Sequence, residues 1–162
     1  MKPLSALILM FATLALPGAA WSAEPSPVGW WLVQDGTAVI QVEDSGGRLT
    51  GRTVWMKDPT YPRDDAQGRA GQPLLDDANP DPAKRARQRL GLQILSGFRP
   101  AEEKGTYDGG QVYNPRDGKT YSGTLTLIGK DRLALRGYVL VTLIGKTQTW
   151  TRVTDLAKYG LK

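Results

Sequence analysis

Apolar and polar side chains alternate along most of the chain after residue 28, and glycine, proline, asparagine and aspartate interrupt the alternation at short intervals. A period of two is typical of strands with one buried face, and clusters of turn residues separate such strands. The pattern therefore predicts an all-β domain of about eight strands. The predicted strands are 29–34, 38–43, 48–56, 91–98, 106–113, 119–128, 132–141 and 145–153.

The turns between these segments predict antiparallel neighbours. Pro115 presets one backbone angle and Gly118 accepts a left-handed conformation, so the segments 106–113 and 119–128 should form a hairpin. The period of two also predicts which side chains share a face. In 119–128 one face carries Tyr121, Gly123, Leu125 and Leu127, and in 48–56 one face carries Leu49, Gly51, Thr53 and Trp55.

Residues 57–90 break the pattern, because prolines, acidic residues and glycines are frequent there. Asp81 followed by Pro82 is a favourable helix start, so we expect a short helix from Pro82 to Arg89 within one long loop. Its basic side chains form either a solvated face or a candidate anion patch. These side chains are Lys84, Arg85, Arg87 and Arg89.

The first residues have the layout of a secretory signal peptide. Lys2 precedes an apolar run from Leu4 to Leu16, and small residues follow Pro17. The run is shorter than the roughly 20 residues that a membrane helix needs. We therefore expect a signal peptide at 1–23, a single mature domain at 24–162 without a transmembrane segment, and export to the periplasm or the medium.

Composition narrows the chemistry. The chain contains no cysteine and no histidine, which removes disulfides, thiolate metal sites and the commonest general base. Asp77, Asn79 and Asp81 match the start of a calcium loop, but Pro82 stands where that loop needs glycine. We expect no metal site, no cofactor and no enzymatic activity. The net charge of +5 favours solubility first and an anionic envelope component second, and we expect no nucleic-acid partner.

The aromatic side chains lie in or beside the predicted strands, where they serve either the core or a ligand-binding wall. The residues that we take as candidates for ligand binding are Trp55, Tyr113, Tyr121, Leu125, Arg136 and Tyr138.

Two short motifs stand at the ends of the strand series. Gly29 and Trp31 open the first strand, and Trp150 and Arg152 close the last. An arginine stacked on a tryptophan where the first and last strands meet would seal one end of a barrel. The Gly-x-Trp opening with a late arginine resembles lipocalins and related calycins. That resemblance implies that Trp31 packs under the barrel and that Arg152 covers it.

A longer series of motifs resembles a bacterial family, domain of unknown function family 2147, across Pro27 to Val153. The motifs are Gly29-x-Trp31, Gly51-Arg52, Asn79-Pro80-Asp81-Pro82, Gly91-Leu92, Gly109-Gly110-Gln111-Val112-Tyr113, Asp117-Gly118-Lys119-Thr120-Tyr121, Arg136-Gly137-Tyr138 and Thr147-Gln148-Thr149-Trp150-Thr151-Arg152. The resemblance implies an exported, barrel-like protein and brings no catalytic residues. Together with the strand pattern, it predicts an all-β, lipocalin-like, up-and-down barrel of about eight antiparallel strands. The stretch 59–73 is longer than the loop typical of that family.

Two functions follow. One is a lipocalin-like module that binds a small apolar or amphipathic ligand, and the other is an interaction protein whose barrel is filled and whose loops dock a partner. An apolar cavity among Trp55, Tyr121 and Leu125 would favour the first, and a packed interior the second.

Overall fold

The strands close into one barrel in which each pairs antiparallel with the next and the last returns to the first. The computed structural model describes residues 25–139 and 142–162, and side chains at 138–146 lie outside that description. The predicted signal peptide at 1–23 also lies outside it. The strands are β1 (Gly29–Leu32), β2 (Ala38–Asp44), β3 (Leu49–Met56), β4 (Gln93–Pro100), β5 (Thr106–Asn114), β6 (Lys119–Ile128), β7 (Arg132–Val139) and β8 (Thr142–Arg152).

The predicted fold class is confirmed, with one strand displaced. The fourth strand begins at Gln93 and not at 91, because Gly91 has a φ of 85° and Leu92 closes a turn onto the carbonyl of Arg89. No helix within the described ranges is long and apolar enough to cross a membrane.

A bulge in β3 changes which of its side chains face inward. Ile40 of β2 pairs with Thr53 and Val39 pairs with Trp55, so Val54 is an extra residue without a partner in β2. The alternation therefore reverses after Val54. The prediction that Trp55 shares a face with Thr53 is wrong: Trp55 faces outward, and its ring meets the ring of Tyr159 at 4.9 Å.

The long segment 57–90, which we call the lobe, contains no helix of the predicted length. Asp81 does cap a turn by accepting from the amide of Ala83, but only Pro82–Lys84 is helical, as one 3-10 turn. The predicted helix 82–89 is wrong because the chain turns again after Lys84 and residues 87–89 then pair with residues 74–76. The amide of Asp76 donates to the carbonyl of Arg87, and the amide of Arg89 donates to that of Leu74.

The hydrophobic core fills one half of the barrel. It contains Trp31, Ile40, Val42, Leu49, Leu95, Phe98, Leu125, Leu133, Leu135 and Trp150. The ring of Phe98 packs inside the barrel against two glycines, Gly110 of β5 and Gly123 of β6. A Cβ at Gly110 would lie 2.2 Å from the Phe98 ring, and one at Gly123 would lie 3.2 Å from it. Glycine at these two positions gives the ring its space.

Arg152 closes this filled end. Its guanidinium carbon lies 4.1 Å from the ring centroid of Trp31, and its nitrogens donate to the carbonyls of Lys130, Val28 and Ser26 at 2.5 to 3.0 Å. A Cβ at Gly29 would lie 2.7 Å from the Arg152 side chain, so only glycine lets the guanidinium pass. The opening of the barrel is therefore at the opposite end.

Candidate functional site

A cavity of about 690 Å³ occupies the other half of the barrel. It lies at the end where the β1–β2, β3–β4 and β5–β6 connections meet, and its mouth includes Thr37, Asp58 and Pro115 from those connections. Protein sites for small molecules commonly enclose about 300–1,000 Å³. The volume is therefore large enough for a small organic ligand.

The wall of the cavity is largely apolar. Its apolar side chains are Val33, Ala38, Ile40, Met56, Leu74, Ile94, Val112, Leu135 and Trp150. Trp150 belongs also to the buried core and forms the boundary between the filled and the open half. Contact between this wall and the apolar surface of a ligand favours binding, because it removes apolar surface from water.

The mouth carries charged groups that are mostly engaged with one another. Asp35 accepts from the Thr37 hydroxyl at 2.6 Å, and that bond, with burial opposing it, holds the pKa of Asp35 below its ordinary value. Arg116 lies 3.7 Å from the same carboxylate. Burial acts to raise the pKa of Asp117, but hydrogen bonds from the Tyr121 hydroxyl at 2.6 Å and the Lys119 amide at 2.9 Å, with smaller contributions, together lower it.

A buried carboxylate attaches the lobe to the barrel. Asp76 is completely buried and accepts from the Tyr113 hydroxyl at 2.5 Å and from the Asn79 amide and the Arg87 guanidinium, each at 2.8 Å. Burial acts to raise the pKa of Asp76, and these three donors together lower it. Burial, with the Asp76 contact, raises the pKa of Tyr113 to about 12. We call Asp76, Tyr113, Asn79 and Arg87 the staple.

The turn between β5 and β6 fits against the same part of the lobe. Gly118 has a φ of 70°, and a Cβ there would lie 1.8 Å from the carbonyl oxygen of Ala78. The staple and this close approach hold the lobe beside the mouth, where it contributes Leu74 and Arg89 to the cavity.

The six candidate ligand-binding residues lie in different places. Tyr113 and Tyr121 line the cavity, whereas Leu125 is fully buried in the core and Trp55 faces outward. Arg136 is exposed and pairs with Thr124 and Thr147 in the sheet, and the side chain of Tyr138 lies outside the described part of the chain.

The four basic residues of the lobe do not form one face of a helix. Lys84 pairs with Asp81 at 3.0 Å, Arg87 pairs with Asp76, and Arg85 donates to the carbonyl of Asn79. Arg89 alone of the four lines the cavity. Within residues 25–139 and 142–162 no group of three potential ligands could hold a metal. In the calcium-like sequence, Asp77 accepts a hydrogen bond from the Tyr61 hydroxyl, and Asn79 belongs to the staple.

Sequence reasoning did not find Asp76 or the apolar wall at Ile94 and Val112. Asp76 is one of many acids in an irregular stretch, and its partner Tyr113 is 37 residues away. Ile94 lies at a register shift between β3 and β4, where Gly51 pairs with Leu95 and Arg52 with Gln93, and the alternation along the chain does not reveal such a shift.

Comparisons with known proteins agree with this architecture. The family described as an uncharacterized protein conserved in bacteria, DUF2147, matches residues 29–152. A solved structure, protein HP1028 from the human pathogen Helicobacter pylori, described as belonging to the lipocalin family, is similar with a TM-score of 0.69 and 24% identity, covering 85% of this chain and 91% of that one. No curated protein sequence matches the chain significantly.

Proposed function

We propose that this chain, which belongs to the bacterial DUF2147 family, is a lipocalin-like module that binds a small apolar or amphipathic ligand in the open half of its barrel. The observation that carries the proposal is the cavity of about 690 Å³ with an apolar wall and a polar mouth. Binding sites for small organic molecules combine an apolar lining with polar groups that fix the orientation of the ligand.

The alternative is an interaction protein whose barrel is filled with side chains. Only one half of this barrel is filled in that way, by core residues that include Phe98, Leu125 and Trp31. Packing in protein interiors leaves few voids larger than a water molecule. The cavity beside Trp150 is much larger than such voids, so it favours the ligand-binding function over the interaction protein with a filled barrel.

Binding of the neutral apolar dye N-phenylnaphthylamine tests the proposal. We expect its fluorescence to rise saturably with the wild-type protein, at a stoichiometry of about one dye per barrel. Ile94→Trp should weaken binding by about tenfold or more, because the larger ring occupies cavity volume beside the mouth.

Ile128→Trp is the matched control. Ile128 is 50% exposed at the other end of β6, so the same change there leaves the cavity untouched. Equal binding by both variants, or no saturable binding by the wild type, would contradict the proposal.

We further propose that the module binds its ligand without turnover. The sequence offers neither histidine nor cysteine. The lowered pKa values of Asp35 and Asp117 support carboxylates that stay ionised, not general acids poised near neutral pH. Hydrolysis of an ester or glycoside that disappears when one carboxylate is replaced would overturn this part.

The cell envelope is the proposed location, in the periplasm or outside the cell. The support is the signal-peptide pattern in residues 1–23. N-terminal sequencing of the protein from an envelope fraction should begin between residues 21 and 24. A protein that begins at Met1 in the cytosolic fraction would refute the proposed export.

A further inference from the structure

Arg89 places a cationic group at the boundary between the apolar wall and the mouth. It is half-buried, and its backbone amide and its side-chain Nε donate to the carbonyls of Leu74 and Leu75 at 2.9 and 2.7 Å. These bonds hold the backbone and the Nε of Arg89 in place and do not use its two Nη groups. Arg89 lines the cavity together with Leu74 and Ile94.

Arg89 has no carboxylate partner among the described residues, and neither does Arg85, but of these two only Arg89 lines the cavity. Arg69 pairs with Asp65 and Asp77, and Lys84 and Arg87 each have an aspartate within 3.0 Å. The N–H groups of a partly desolvated guanidinium usually donate to anionic or carbonyl acceptors. Arg89 lines the cavity that a ligand would occupy, and its Nη groups have no protein acceptor among the described residues.

We propose, building on the ligand-binding function above, that the ligand is an amphiphile with an anionic head group, which the guanidinium of Arg89 binds while the apolar chain extends towards Trp150. A carboxylate or a phosphate ester accepts two parallel hydrogen bonds from such a fork. The wall of Val112, Ile94 and Leu135 supplies the contact for the chain.

The other charges at the mouth do not compete for this role. Arg116 is two-thirds exposed and lies beside Asp35, so water and that carboxylate already screen it. Asp35, Asp58 and Asp117 also line the cavity and repel an anion, but all three are exposed to solvent, whereas Arg89 is half-buried. A contact with the less solvated group is worth more, because screening there is weaker.

Head-group selectivity tests the inference. Four amphiphiles with the same twelve-carbon chain displace N-phenylnaphthylamine at concentrations below micelle formation: dodecanoate, dodecyl phosphate, dodecanol and dodecyltrimethylammonium. We expect at least one anion to bind about tenfold or more tightly than the alcohol, and the cation to bind least. The comparison of the two anions shows whether the source of the head group is a fatty acid or a phosphate ester.

Arg89→Gln should remove the preference for the anion while dye and dodecanol affinities remain within about twofold. Arg116→Gln, at the same mouth, should keep it. If Arg89→Gln fails to fold, Arg89→Lys replaces it and should reduce the preference for the anion, because lysine lacks the planar fork that binds an anionic head group through two parallel hydrogen bonds. An unchanged preference in the folded variant would overturn the role of Arg89.

The outcomes separate the two proposals. Dye binding without selectivity for anions, or with tightest binding of the cation, overturns the role of Arg89 and leaves the binding function in place. Failure of the dye and of all four amphiphiles to bind overturns both.

Discussion

Asp76→Ala is expected to lower the free energy of unfolding by about 3 kcal/mol or more, because it leaves three donors without their completely buried acceptor. Those donors are the Tyr113 hydroxyl, the Asn79 amide and the Arg87 guanidinium. Urea denaturation measures the loss. The lobe should also detach from β5, so dodecanoate binding should weaken, since Arg89 belongs to the lobe.

Asp64→Asn is the control for the staple. Asp64 is an exposed acid of the same lobe, and such changes alter stability by less than about 0.5 kcal/mol. A loss at Asp76 that is no larger than at Asp64 would show that the staple contributes nothing.

The staple also predicts an acid limb in the stability profile. The pKa of Asp76 is lower in the folded protein than its ordinary value. Its stabilisation is therefore complete above the unfolded-state pKa of about 4 and is lost as the pH falls through the folded-state pKa. Asp76→Asn should start from a lower stability at neutral pH and show a shallower decline below about pH 4. Parallel profiles for the two proteins would contradict the assignment.

Arg152→Ala is expected to cost about 2–3 kcal/mol. A cation stacked on a partly desolvated tryptophan contributes about 1–2 kcal/mol, and the lost hydrogen bonds to three backbone carbonyls add to it. Arg152→Lys should not restore the loss, because lysine lacks the planar fork that reaches Lys130, Val28 and Ser26 together.

A double-mutant cycle with Trp31→Phe isolates the stacking contribution. The two single effects should sum to more than the effect of the double mutant, because either change removes the same contact. Arg132→Ala, on an exposed arginine of β7, supplies the control. Additive effects, or a loss at Arg152 as small as at Arg132, would show that no seal exists.

Much of the architecture follows from local pattern. The alternation in 119–128 predicts β6 and its inward residues, because one face packs on the core and the other meets solvent. The Gly-x-Trp opening and the late Arg152 lie on strands that pair in the structure, with Trp31 opposite Arg152.

The features that escaped prediction depend on contacts between distant residues. The bulge at Val54 arises from the register with β2, and nothing in the alternation of 48–56 reveals it. The helix expected at 82–89 has a proper start, but pairing of 87–89 with 74–76 overrides that local preference. Because of the bulge at Val54, Trp55 packs against Tyr159 on the outside of the barrel and does not line the cavity, although its position in the strand made it a candidate ligand residue.

The location of a bound ligand tests the central claim most directly. An amide chemical-shift titration of the isotopically labelled protein with dodecanoate reports which residues sense it. We predict that the shifts concentrate at Val33, Ala38, Ile94 and Val112, which line the open half, and that Val42 and Leu49 in the filled half change little. Shifts confined to the outer faces of the strands, or absent at saturating dodecanoate, would contradict the claim that the open half of the barrel is a binding site.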